Sequence, residues 1–127
     1  MGDKDVISGG SNLKETIMPK FMTIGYGAQE GYDRTPEAIR EAAHAHDPKL
    51  RSEGALMGVA GAPVQVRNPE AGGIETTDGP FMFTSLPVAG FAVIEAADLA
   101  EAVEMVSRTP CAVSHGVVEV WPFEVTP

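Results

Sequence analysis

Apolar positions along this chain fall into short blocks whose spacing switches between strand-like and helical. Phe21, Met22, Ile24 and Tyr26 give the first block strand composition, and Gly25 and Gly27 close it. Thr35-Pro36-Glu37 follows as a helix start, with Thr as N-cap, Pro at the first helical position and Glu favoured by the helix dipole. Ile39, Ala42, Ala43, His46 and Leu50 recur at helical spacing and predict one narrow buried stripe. Pro48 lies inside that pattern and predicts a kink or restart near Asp47, because it lacks an amide hydrogen and crowds the carbonyl of residue 44. Gly54 ends the helix.

A second strand is predicted over residues 55–60. Val64-Gln65-Val66-Arg67 and Ile74-Glu75-Thr76-Thr77, joined by a turn over residues 68–73, predict a hairpin. Residues 88–95 form the strongest strand pattern. Asp98-Leu99-Ala100-Glu101 has the form of a capping box. Leu99, Ala102, Val103 and Val106 make a helical face that Thr109-Pro110 ends, and residues 117–121 are the last strand. The order predicts an α+β ferredoxin-like fold, an antiparallel sheet with two helices on one face. Phe91 and Val93 alternate with Ala92 and Ile94, so both faces of the sheet are apolar and the second face needs a cover. A sheet from another copy supplies one, which predicts a homodimer.

Composition narrows the function classes. A length of 127 residues fits one domain. Residues 1–17 differ from the rest, with Ser8-Gly9-Gly10-Ser11-Asn12 as a linker, and read as a flexible leader or vector-derived remnant before a single domain over 18–127. The net charge of −9 with scattered Lys and Arg disfavours direct nucleic-acid binding and adhesion to anionic membranes. No apolar run reaches the roughly 20 residues of a membrane span. The single Cys111 allows no internal disulfide and fits a cytoplasmic location.

Asp78-Gly79-Pro80-Phe81 is the most informative motif. An Asp before Gly and Pro can bond its own backbone and set a tight turn, or serve as a general base held on rigid elements. His44 and His46 lie two apart on the first helix and point to different sides; one or other is the candidate to pair with Asp78 as an acid–base dyad. The alternative is one interior hydrogen-bonded His and one exposed. His44-Ala45-His46-Asp47 lacks the converging ligands of a zinc site. Gly25, Gly27 and Gly31 miss the dinucleotide spacing, so no cofactor is implied. Cys111 reads as a small buried hydrophobe despite His115 four residues on. Arg67, ahead of Arg34, is the candidate for an anionic ligand group, against a solvated strand-end Arg. Trp121-Pro122-Phe123 reads as edge packing or a dimer contact.

These pieces, in this order, resemble the DGPF-domain branch of the YCII-related proteins. The resemblance rests on Phe21-Met22-Thr23-Ile24-Gly25-Tyr26-Gly27, Val64-Gln65-Val66-Arg67, Thr77-Asp78-Gly79-Pro80-Phe81, Gly90-Phe91-Ala92-Val93-Ile94-Glu95-Ala96 and Val117-Val118-Glu119-Val120-Trp121-Pro122. It implies a ferredoxin-like fold dimerising into an α/β barrel, and a cleft holding a His and an Asp with a suspected enzymatic role; Arg67, Phe81 and Thr84 are the candidates for binding a small-molecule ligand in that cleft. It also implies a regulatory setting beside extracytoplasmic-function sigma factors. Relatives usually continue the motif with Ala-Glu-Thr-Lys-Glu, whereas this chain reads Met82-Phe83-Thr84-Ser85-Leu86, so the charged residues are gone and only Thr84 is kept.

Overall fold

Four strands pair in the order β2-β5-β1-β6, every neighbour antiparallel, in a computed structural model that describes residues 18–124. The reading of residues 1–17 as a leader lies outside the described residues. Along the chain run β1 (Lys20–Tyr26), α1 (Gln29–Asp33), α2 (Glu37–Ser52), β2 (Leu56–Val59), β3 (Val64–Arg67), β4 (Glu75–Asp78), β5 (Val88–Glu95), α3 (Leu99–Val106), α4 (Pro110–Val113) and β6 (Val117–Phe123). With the β3–β4 hairpin set aside as an insertion, this is the βαββαβ order of the ferredoxin-like plan. One sheet face carries the helices; the barrel that a second copy would close is not part of a single chain.

Register decides which residues face the helices. Phe21 pairs with Ile94, and Thr23 with Ala92. These inward residues meet Ala96, Ala102 and Val106 in the core, with Ala43 and Leu50 buried from α2. The even positions of β1, namely Lys20, Met22, Ile24 and Tyr26, point to the other face. That face is apolar and open: Met22 is 40% exposed, Phe91 50%, Trp121 53% and Leu56 74%.

Three helix details differ from expectation. Pro48 sits inside α2, which runs on to Ser52. Leu50, only 1% exposed, packs into the core just beyond it, so tertiary burial holds the last turn despite the missing amide. Thr35 does not cap α2; its hydroxyl donates to the Gly31 carbonyl at the end of α1, a short helix that the pattern did not predict. The buried stripe is also narrower than its spacing, because Ile39, Ala42, Leu99 and Val103 are exposed. Small helices crossing a sheet bury only the residues along the contact line.

Asp98 caps α3 as expected, accepting the Glu101 amide at 2.9 Å. Glu101 accepts the Ala97 amide in return. Asp98→Ala should lower stability by about 1 kcal/mol, seen as a lower urea midpoint with unchanged slope.

Candidate functional site

The hairpin inserted between β2 and β5 carries the Asp-Gly-Pro-Phe motif at its exit. Register pairs Val64 with Asp78 and Arg67 with Glu75. Paired residues share a face and neighbours alternate, so Asp78 and Arg67 point to opposite sides of the hairpin. Asp78 ends β4 rather than forming the turn, and Gly79 supplies the turn's left-handed backbone with φ of +101°. No hydrogen bond engages the Asp78 side chain among the described residues, so it does not close the turn upon itself. Asn68 makes a closure of that kind in the hairpin loop, accepting the Gly73 amide at 3.0 Å.

What braces the turn is Gln65. Its amide donates to the Gly79 carbonyl at 3.1 Å, and its carbonyl accepts Arg67 Nη2 at 2.9 Å. The Arg67 guanidinium in turn lies 5.8 Å from the Phe81 ring centroid. Arg67 and Phe81, both candidates for ligand contact, thus meet in one shallow depression of about 370 Å³. Gln65 could have been found from the sequence, since it shares the alternating phase of Arg67.

The two histidines belong to the helix layer. His44 Nε2 lies 2.8 Å from the Tyr32 hydroxyl, and the Arg40 guanidinium stacks over the same Tyr32 ring. His46 Nε2 donates to the Met105 carbonyl at 2.7 Å, tying α2 to α3. Within one chain neither imidazole is hydrogen-bonded to Asp78. Burial, reinforced by the Asp47 charge, pushes the Cys111 thiol up from its ordinary value, and its sulfur packs where Gly25 leaves room. Arg34 is exposed at the end of α1. No group of three or more His, Cys, Asp or Glu gathers as metal ligands among the described residues.

Beyond Phe81 the chain walls a cleft of about 680 Å³. Met82, Phe83, Leu86 and Pro87 line it together with residues 60–63 and with Phe91 of the open sheet face. Thr84 stands in its wall with its hydroxyl donating to the Leu86 carbonyl. Phe83 is 90% exposed. The segment is pinned at its end, where the Gly27 amide donates to the Pro87 carbonyl at 3.0 Å.

The family model of the YCII-related domain matches residues 19–124, which spans this whole arrangement. The chain belongs to the YCII-related family. The match covers the sheet, the helices and the inserted hairpin alike. None of the curated proteins matches the chain. The YCII-related domain therefore accounts for the fold, while the cleft's chemistry has to be read from its own residues. No helix among the described residues is long and apolar enough to cross a membrane.

Proposed function

We propose that this YCII-related protein is a homodimer whose cleft beside residues 80–87 binds a small, largely apolar molecule. The observation that carries this reading is the cleft itself: about 680 Å³, lined by Met82, Phe83 and Leu86 among mostly apolar neighbours. Phe91, also in its lining, belongs to the open sheet face that a second copy would cover, so a dimer would close both surfaces into the expected α/β barrel. The Arg67–Phe81 depression on the hairpin is where an anionic end of a ligand would be met. A cytoplasmic setting is part of the reading, given the lone thiol.

Binding is favoured over catalysis because Asp78 and the imidazoles hold no common contact in one chain. An acid–base pair of Asp78 with His44 or His46 would have to form between two copies. The second reading is a regulatory module that docks a protein such as a sigma factor, favoured by the exposure of Phe83 and Val59 at 90% each.

A thermal-shift screen of small apolar metabolites on wild type, Phe83→Asp and Asp78→Asn tests both. A ligand present at a hundred times its dissociation constant adds about 2.7 kcal/mol, a rise of several degrees. The reading expects hits that Phe83→Asp loses and Asp78→Asn keeps. Loss in Asp78→Asn would bring the carboxylate into the site. No hits at all would favour the docking module.

A further inference from the structure

Among the described residues, one charged group on the open sheet face has no counterion. Lys20, Glu95 and Glu119 are the charged residues that register places there, and Lys20 and Glu95 neutralise each other at 2.8 Å. Glu119 forms no salt bridge among the described residues. It is half-buried on β6, directly across from Ile24 and two residues from Trp121. Two donors hold its carboxylate in place: the Tyr26 hydroxyl at 2.7 Å and the Trp121 indole N–H at 3.3 Å, both to Oε1. Oε2 has no hydrogen-bond partner among the described residues. Among the described residues an acceptor oxygen is therefore oriented and unpaired, on a face whose apolar side chains include Met22, Leu56, Phe91, Val93 and Trp121.

The carboxylate also borders a cavity. Tyr26, Val117 and Glu119 enclose a space of about 170 Å³ with Thr84, Ser85 and Leu86. Those last three residues also line the apolar cleft. The cleft and the space beside Glu119 are therefore neighbours that share the 84–86 loop. Covering this face, as dimerisation would, takes an uncompensated carboxylate out of water, which is costly unless the covering species brings a cation or strong donors.

We propose that Glu119, oriented by Tyr26 and Trp121, recognises the protonated amine of a ligand whose apolar body fills the cleft beside residues 82–86. This names the ligand class, an amine with an apolar chain or ring, and it rests on the cleft reading above. The Tyr26 phenol supports the arrangement: its hydrogen bond to Glu119, then burial, then the carboxylate's charge hold its pKa above the ordinary value, so it stays a donor. An ammonium against a carboxylate forms a charge-assisted bond that a neutral alcohol of the same shape cannot.

Trp121 is the single tryptophan and its indole touches Glu119, so its emission reports on the site. Hexylamine and hexanol are titrated into the full chain, wild type and Glu119→Gln, followed by fluorescence and calorimetry. The expected result is hexylamine binding wild type at least about tenfold more tightly than hexanol. Glu119→Gln should erase that preference and still bind hexanol, and Tyr26→Phe, which frees the carboxylate, should reduce it. Equal binding of the two probes by wild type overturns the inference while leaving the cleft standing. So does a preference that survives in Glu119→Gln. Binding of neither probe overturns the cleft reading and this one together. If wild type shows no preference and Glu119→Gln alone weakens self-association, a cation of the second copy meets the carboxylate, and the inference falls.

Discussion

Met22→Glu is expected to turn a dimer into a monomer with its fold intact. Met22 stands on the central strand β1, between Val93 of β5 and Trp121 of β6, on the face turned away from the helices. At 40% exposure it contributes little to the core of one chain, so a carboxylate there stays hydrated in the monomer. In a face-to-face dimer the same carboxylate would be buried on the face that already holds Glu119. Leaving an unpaired charge in an interface costs about 3 kcal/mol or more, over roughly a hundredfold in dissociation constant. Analytical ultracentrifugation at micromolar concentration should show twice the monomer mass for wild type and the monomer mass for the variant, with matching circular dichroism. A wild-type monomer would remove the dimer from the proposed function. A variant that remains dimeric would move the interface elsewhere, the exposed hairpin and Phe83 being the next surface to test.

How much of this was legible in the sequence depends on how local the signal was. The hairpin over residues 64–78, the strand over 88–95 and the Asp98 cap were readable because alternation and capping are decided within a few residues. The open apolar face was readable too, since Phe91, Val93 and Ile94 occupy both phases of one strand. Pro48 misled because its local cost is outweighed by burying Leu50, a tertiary effect that no window of sequence contains. The motif brought Asp78, Arg67 and Phe81 forward but could not say that register sets Asp78 and Arg67 on opposite faces of the hairpin. Tyr26 and Glu119 were missed for a related reason. They are 93 positions apart, each reads as an ordinary strand residue, and only the β1–β6 pairing brings hydroxyl to carboxylate.

That same pairing makes Gly116→Ala the most crowded alanine substitution among the described glycines. Gly116 immediately precedes β6, just after the turn at His115, whose φ is +65°, and its amide donates to the Cys111 carbonyl at 3.0 Å. A Cβ at residue 116 would stand 2.1 Å from the Tyr26 carbonyl oxygen and 2.7 Å from that of Cys111. Both obstacles are backbone, so no side-chain rotation relieves them; β1, α4 or β6 must move. Overpacking of this kind costs about 3 kcal/mol, at the upper end of the usual range. Gly61→Ala, where nothing lies within 4 Å of the added carbon, should change stability by less than about 0.5 kcal/mol and serves as the control. Urea unfolding followed at Trp121 reads the loss. Displacing the start of β6 also shifts Val117 and Glu119 against β1, so the Tyr26–Glu119 bond should weaken with it. The Tyr26 phenol should then titrate closer to its ordinary value in Gly116→Ala than in wild type or Gly61→Ala, measured by the ultraviolet absorbance of tyrosinate. A Gly116→Ala protein as stable as wild type, with Tyr26 unchanged, would mean that β6 does not run as close to β1 as this register requires.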